Sequence, residues 1–592
     1  MNKVLSLLRA PATEPVVLAL LTIAVAAVRV RLAVTDGGAT LFFDEAYYVE
    51  NARAIFALGA YSTAHYPPLY SLLLAPGLLA ESWYPATMAI SAATSALAVP
   101  AAWFLARSAD FKLPLLAALA VGLLTSAFAY STFMMSENLS TPIFVLAVAL
   151  TIRARAQEGW MLGVAATALV LTKYLFLPVA VILIVAYLVL RQRHEPNRPR
   201  NVRLKEVALA FAAPILGGAA WLTYALGSGF SLFQAIGLTD PTSTFERSVS
   251  EGEVQDLLLW IVVYVGALML PALPTALLAV LYLTRRRSIP LRLHNRQAAL
   301  AVLTAILATV AVAVAVQHSF GAPYNYPEPT LAWPRYLMHL GPVLLVVGLV
   351  LLQTLTSTDR SPVRVALLVA LGALVAGGGL AVWWFLFREG SGIVAWGFTA
   401  PITAADLFPL RTIGTLVLTV GATMLVAALT VMPIARSWAS TIGSGVIILL
   451  LGLTTANYIN VSIPVDPFVA DYADTNGSLT RKMLDVLESD AVKDKTTVFF
   501  LTDGVVNGNL YWQLRFWDRS PDEIQAPLIE EFGLSFPERD PASTKALFEK
   551  LAALDECAAP RDVCYLVTRV PLPVEGRLDD RWGQTLYFHR VP

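Results

Sequence analysis

Apolar runs of about 18 to 25 residues recur along most of this chain, and that repetition constrains its fold more than any other feature. A helix of this length spans about 30 Å of hydrocarbon, where backbone polar groups must be satisfied within the segment itself. The runs fall near residues 13–33, 85–106, 113–131, 138–152, 159–172, 174–190, 206–226, 256–283, 298–316, 336–356, 365–386, 411–433 and 438–458. The expected fold class is therefore a polytopic α-helical membrane protein with about thirteen transmembrane helices. Composition agrees, with 57% of the 592 residues hydrophobic and 14% charged, and a mean hydropathy of +0.64. A soluble globular fold is excluded on these grounds. With 42 basic and 42 acidic residues the chain also lacks the cationic excess of a nucleic-acid binder. The first run is too long for a signal peptide and lacks a small-residue cleavage site, so it reads as a retained helix.

Loop charge sets the orientation, because cytoplasmic loops collect Lys and Arg. The segments "RARAQE" (153–158), "RQRHEPNRPRNVRLK" (191–205) and "TRRRSIPLRLHNRQ" (284–297) are strongly basic. Residues 227–255, 317–335 and 387–410 carry few basic side chains. With Lys3 and Arg9 inside, all three basic loops fall on the cytoplasmic face. Arg29 and Arg31, toward the outer end of the first helix, run against this pattern. An odd span count places the C-terminus outside. The expected location is the plasma (inner) membrane, with multiple passes.

From about residue 460 the chain turns polar and mixed. "SLTRKMLDVLES" has helical periodicity with Ser478 as its N-cap, and "KALFEKLAALDEC" reads as a second helix. "TTVFFLTDG" and "DVCYLVTRV" read as strands. The sequence thus predicts a transmembrane domain over 1–459 and a small extracytoplasmic α/β domain over 460–592. Both cysteines, Cys557 and Cys564, lie in the second. An oxidising compartment favours a disulfide between them, the alternative being two buried thiols.

The first external loop, 34–84, is unusual. "DEAYYVENARAIFALGAY" places Tyr47, Asn51 and Ala54 on one helical face and Glu50 and Arg53 on another. That pattern predicts an amphipathic helix lying on the membrane surface. "HYPPLYSLLLAP" then re-enters the bilayer, with Pro67 and Pro68 blocking helix before Leu69.

Ionisable groups at or near membrane depth are costly and mark function by default. Asp44 and Glu45 open the first external loop. Glu137 lies in "FMMSENLSTPIFVL", Lys173 in "LVLTKYLFLP" and Arg335 in "EPTLAWPRYLMHLGPVLL". The expected topology sets all of them near the outer leaflet. Each also has a plain structural role open to it. Asp44 suits a helix N-cap, Glu137 an interfacial cap, Lys173 a snorkelling cation and Arg335 a helix anchor. The acids suit proton acceptance at a hydroxyl and stabilisation of a cationic sugar centre. The cations suit an anionic leaving group, Arg335 through two parallel donors.

The acidic pair after the first helix, the interfacial helix, "PPLY" and the later "SEN" together resemble the GT-C superfamily of membrane glycosyltransferases. The likeness is greatest to the protein O-mannosyltransferase and aminoarabinose-transferase branch, whose "RYL…P" segment resembles "PRYLMHLGPVLLV". The resemblance implies a polyprenyl-phosphate sugar donor arriving from the bilayer. It implies a glycan, lipid or protein acceptor arriving from the aqueous side, and one inverting displacement at the outer face, in cell-envelope glycan or glycolipid synthesis. Asp44 matches the catalytic base, Glu45 its partner and Glu137 the second acidic position. Lys173 and Arg335 would hold the donor phosphate. In the aminoarabinose transferases a Lys precedes the Pro pair. Here that position is Tyr66, preceded by His65, which points to a different sugar and offers both side chains to the phosphate. Tyr47, Tyr336 and His339 complete the pocket candidates. No cofactor is expected; a divalent metal is compatible with this chemistry but not required by it.

Two other functions fit a helical chain of this kind. A transporter or flippase for a lipid-linked substrate would show inverted repeats and charges spread through mid-helix, and neither is evident. A catalytically inactive lipid-binding scaffold would share the fold and is separated only by direct assay.

Overall fold

The computed structural model describes residues 13–35, 43–56, most of 61–237, scattered positions in 254–264, then 295–321, 337–356 and strand residues within 495–590. The chain divides into two compact units, Met1–Asp36 with Asn51–Ile463, and Gly37–Glu50 with Pro464–Pro592.

Among the described residues five helical stretches are long and apolar enough to cross a bilayer: Glu14–Val34, Trp83–Ser108, Tyr174–His194, Arg200–Gly227 and Arg296–Gln317. Each covers one of the apolar runs in the sequence. Shorter helices at Pro114–Gly122, Thr125–Ser131, Glu137–Arg153, Gly159–Thr172 and Leu340–Thr356 cover four more. The runs at 365–386, 411–433 and 438–458 lie outside the described residues, as does most of 256–283.

Interruptions within the runs carry more information than the helices themselves. Trp83–Ser108 is two helices, Trp83–Ser95 and Ala98–Ser108, joined through Ala96 and Leu97. The joint keeps its donors bonded, Ala96 N–H to Ala93 O and Leu97 N–H to Thr94 O, as hydrocarbon requires. The run 113–131 breaks after Gly122 and resumes at Thr125. The Pro68–Leu74 helix starts on its own proline, with Pro67 extended at ψ 157°. Proline's fixed φ and missing N–H suit that first position.

The helix expected in the first loop is present, with a different inward face from the one its spacing suggested. The helix exists as Phe43–Phe56, but Glu45, Tyr48, Val49 and Ala52 form its buried stripe, joined by Asn51. Tyr47 and Ala54, expected to share a face with Asn51, are half-buried.

Small residues set the spacing of the helical core. Ala98, Ala102, Ala106, Ala147 and Ala149 are fully buried between the Ala98–Ser108 and Glu137–Arg153 helices and their neighbours. Without large side chains the backbones approach closely and gain dispersion contacts, the main source of helix association in lipid. Two helix backbones meet closely at Gly163, where an added Cβ would lie 2.4 Å from the Ala210 carbonyl oxygen of the Arg200–Gly227 helix.

The second unit holds a five-stranded sheet. Its strands are β1 (Lys495–Phe500), β2 (Glu523–Gln525), β3 (Asp562–Thr568), β4 (Arg577–Asp579) and β5 (Thr585–Arg590). Their order is β2-β1-β3-β5-β4. β1 runs parallel to both β2 and β3, pairing Val498 with Ile524 and with Tyr565. β5 pairs antiparallel with β3 and β4. Parallel neighbours need crossover connections, so β1, β2 and β3 cannot be joined by tight turns. β1 and β3 run through the "TTVFF" and "DVCYLVT" stretches. The helices expected at 478–489 and 545–557, together with Cys557 and its pairing, lie outside the described residues.

Two glycines give a stability test of opposite sign. A Cβ at Gly163 must push two helices apart, whereas one at Gly218 meets nothing within 4 Å. Gly163→Ala should lower the midpoint of thermal unfolding in nanodiscs, by about 1–3 kcal/mol equivalent. Gly218→Ala should leave it unchanged or raise it, since Ala gains about 1 kcal/mol over Gly in a helix. Scanning fluorimetry of both variants reads the difference.

Candidate active site

Glu137 opens the Glu137–Arg153 helix, where the unpaired N–H groups of the first turn favour a negative charge. The loop that delivers it is fixed by its neighbour. Asn138 Nδ2 lies within bonding distance of Ser91 Oγ (2.9 Å), Tyr130 O (3.0 Å) and Phe133 O (2.8 Å). Ser91 Oγ in turn shares a 2.7 Å bond with the Tyr70 hydroxyl. One buried amide thus ties the incoming chain to the Trp83–Ser95 and Pro68–Leu74 helices.

Lys173 occupies a break of a different kind. The Gly159–Thr172 helix stops, Lys173 alone takes an extended conformation (φ −160°, ψ 123°), and a 3-10 turn follows at Tyr174–Phe176. Its backbone is still satisfied, with its N–H bonded to Leu169 O and its carbonyl accepting from Phe176 N–H, both at 3.0 Å. Lys173 Nζ reaches Glu137 Oε1 at 2.7 Å. The carboxylate side chain is 5% exposed and the ammonium 18%. Neither charge would be tolerated here alone, and together they satisfy each other.

The pair lines a cavity of about 30 Å³ with Ser140, Phe176, Val179 and His339. His339 is buried, with its ring edge-on to Phe144 (4.7 Å) and Phe176 (4.9 Å).

An aromatic clamp brings the segment 61–66 to the same region. The Tyr174 hydroxyl, one residue from Lys173, donates to Ala64 O at 2.9 Å. Trp221 Nε1 lies 2.9 Å from the Tyr174 oxygen and 2.8 Å from Ala235 O. The Tyr61 ring packs edge-on to Trp221, and its hydroxyl donates to Tyr66 O at 2.8 Å. Burial pushes the Tyr61 phenol up, so it stays a neutral donor. Gly237, at φ +71°, lets the chain pass over the Tyr174 ring, where a Cβ would come within 2.3 Å.

No family model matches this chain, and no curated protein matches it. Solved structures do. The crystal structure of ArnT from Cupriavidus metallidurans bound to undecaprenyl phosphate aligns with a TM-score of 0.53 at 15% identity, covering 98% of each chain. The same protein in the apo state aligns with a TM-score of 0.50 at 15% identity, again over 98% of each. The chain has the ArnT fold. That is the branch its sequence motifs resemble, and the likeness runs through nearly the whole of both chains.

Of the residues singled out from sequence, the structure brings Glu137, Lys173 and His339 to one cavity. Tyr66 is half-buried beside the clamp. Asp44 and Glu45 stand in the first turn of the Phe43–Phe56 helix, half-buried and buried, in the other compact unit, and Tyr47 follows one turn later. His65, Arg335 and Tyr336 lie outside the described residues. Ser140, Asn138, Tyr174 and Trp221 were not singled out, because neutral polar and aromatic residues inside apolar runs carry no sequence signal of their own. Among the described residues no three His, Cys, Asp or Glu side chains are grouped for a metal ion.

The buried pair is tested by a double-mutant cycle. Glu137→Gln and Lys173→Met each strand one charge and should each destabilise by about 3–5 kcal/mol. The double variant should recover much of that loss, because two neutral side chains leave no charge uncompensated. Additive losses in thermal unfolding would show that the two residues act separately.

Proposed function

We propose that this chain is an inverting glycosyltransferase that moves a sugar from a polyprenyl-phosphate donor to an acceptor hydroxyl at the outer face of the membrane. The observation that carries this reading is the ArnT fold shared over 98% of both chains with a structure that holds undecaprenyl phosphate. Asp44 is the general base that takes the acceptor proton, and Glu45 supports it. As the sugar–phosphate bond lengthens, the anomeric centre gains positive charge, and nearby carboxylates stabilise it. Glu137 orients sugar or acceptor. The departing phosphate needs no proton while cations hold it, and Arg335 offers two parallel donors for that task. Lys173 already shares its charge with Glu137, so it contributes to phosphate binding through a coupled pair. His65, Tyr66, Tyr336 and His339 complete the donor site, and no metal is required. Tyr66 in place of a Lys before the Pro pair favours a hexose or pentose other than aminoarabinose. The acceptor is a glycan, a lipid or a protein of the cell envelope. On this reading the segment 460–592 is an extracytoplasmic α/β domain.

Purified protein in nanodiscs, offered hexosyl and pentosyl polyprenyl phosphates, should release polyprenyl phosphate when an acceptor is present. Asp44→Asn should slow that release at least about 100-fold while donor binding persists. A near-normal rate in this variant would remove Asp44 from the role of base. No release from any donor by the parent protein would sink the transferase reading altogether.

The orientation has its own check. In a background with Cys557 and Cys564 replaced by serine, Asn201→Cys should resist an impermeant maleimide added outside intact cells. Phe233→Cys, on an exposed position beyond the Arg200–Gly227 helix, should react. The opposite pattern would place the site on the cytoplasmic face.

A further inference from the structure

One end of the helical unit carries more positive charge than its own acids neutralise. There the Glu14–Thr35, Arg200–Gly227 and Asn295–Gly321 helices begin, and the Ala98–Ser108, Glu137–Arg153 and Leu177–His194 helices end. Among the described residues this end holds five carboxylates, and each is bound to an arginine. Glu14 meets Arg107 at 3.6 Å, Glu158 meets Arg153 at 3.0 Å and Asp110 meets Arg296 at 3.4 Å. Glu195 and Glu206 share Arg191, at 2.7 and 3.2 Å, and Glu206 also binds Arg198. Five acids are thus matched by five arginines. Six further cations remain, Lys112, Arg155, Arg193, Arg200, Arg203 and Lys205, all of them exposed. Among the described residues none of the six is paired with a carboxylate. Paired and unpaired cations share one patch, since Arg153 lies within electrostatic reach of Arg107, Arg155 and Arg296, and Arg198 within reach of Arg203.

The unpaired cations stand where the lipid-facing surface ends. Residues 207–227 of the Arg200–Gly227 helix are uncharged, and about 20 apolar residues suffice to cross the hydrocarbon. The first two turns, with Arg200, Arg203 and Lys205, therefore extend into the headgroup layer. Exposed Val202 and Leu204 alternate with these cations, and exposed Val207 and Leu209 follow. Trp160, in the helix that follows Arg155, is 53% exposed, and tryptophan favours the headgroup level. The Arg191–Glu206 pair ties the Leu177–His194 helix to the Arg200–Gly227 helix across their turn. The two acids nearest the unpaired cations are thus already engaged. We propose that this end is a docking belt for anionic phospholipid headgroups, with Arg155, Arg193, Arg200 and Arg203 holding the phosphates of adjoining lipid. Basic clusters beside a membrane helix attract such lipids, and a guanidinium meets a phosphate through two parallel donors. A bilayer is the fitting partner because it covers the alternating apolar side chains and supplies the anions together. This inference depends neither on the reaction proposed above nor on which face of the membrane this end occupies.

Spin-labelled lipids test it on the full chain in phosphatidylcholine vesicles. Electron paramagnetic resonance separates lipid slowed at the protein surface from bulk lipid. It thereby gives the preference for labelled phosphatidylglycerol over labelled phosphatidylcholine. The parent protein should prefer phosphatidylglycerol about threefold or more, and added salt should lower that ratio, because exposed charges are screened. Replacing Arg155, Arg193, Arg200 and Arg203 together by glutamine should bring the ratio close to one. All four are exposed, so thermal unfolding of this variant in pure phosphatidylcholine should match the parent. Glu195→Gln acts in the opposite direction. It removes an exposed negative charge while Arg191 and Arg198 keep Glu206, and the ratio should rise. A parent ratio of about one would overturn the proposal. A preference that survives the fourfold substitution would place the anionic contact elsewhere and overturn it equally.

Discussion

The ion pair between Glu137 and Lys173 organises the helical unit around it. Two opposite charges sit 2.7 Å apart inside an apolar bundle, and each stands at a break in regular helix. A charge on the side of a lipid-facing helix would have to meet hydrocarbon. A charge at a helix start or at an extended joint can turn inward instead. Glu137 uses the first position, where the helix N-terminus also stabilises it. Lys173 uses the second, with both its backbone groups still bonded. The breaks at residues 136 and 173 are thus conditions for the pair.

A second set of contacts carries the segment 61–66 to the Lys173 joint. Tyr174 holds the Ala64 carbonyl, Trp221 lies against Tyr174, and Tyr61 packs on Trp221 and holds the Tyr66 carbonyl. Every one of these polar tips belongs to a ring whose body is buried in apolar surroundings. Aromatic residues serve well at such a boundary, since they contribute large apolar area and one directed hydrogen bond each. The segment just before the Pro67–Pro68 pair is therefore placed by side chains from the Tyr174–Phe176 turn and the Arg200–Gly227 helix. Any ligand contact made by residues 64–66 inherits the position of the Lys173 joint.

Much of the helical plan was legible because hydrophobic periodicity reports it directly. The stretch 159–172 is a helix at the expected limits, marked by Gly159 and Lys173. The pair Glu137 and Lys173 stood out as charges in apolar sequence, but their mutual bond spans 36 residues and no spacing rule reveals it. The joint at Ala96 and Leu97 was illegible for a different reason. Neither residue is a helix breaker, so the interruption is imposed by packing. The loop helix was misread because "DEAYYVENARAIF" offers two plausible faces, and tertiary burial chose Glu45, Tyr48, Val49 and Ala52. Asn138 was invisible because its importance lies in bonds made inside the fold.

Arg29 shows why an arginine and a lysine inside this bundle are not equivalent. It opposed the loop-charge pattern, and the structure removes the conflict, because Arg29 is fully buried inside the bundle and not a loop charge. It donates to Ser95 Oγ at 3.0 Å and to Gly122 O at 3.3 Å, and its guanidinium lies 4.9 Å from the Phe128 ring centre. Those are neutral partners on three neighbouring segments. A guanidinium tolerates such a setting because its charge is delocalised, weakly hydrated and able to stack on a ring. The compact ammonium of Lys173 has no such option and requires the carboxylate. An arginine held by dipoles is bound to its helices, whereas a lysine held by one carboxylate can share that partner with an incoming anion. Lysine at the cavity and arginine elsewhere in the bundle thus separate a group fit to respond to ligand from one fit to keep the helices in place.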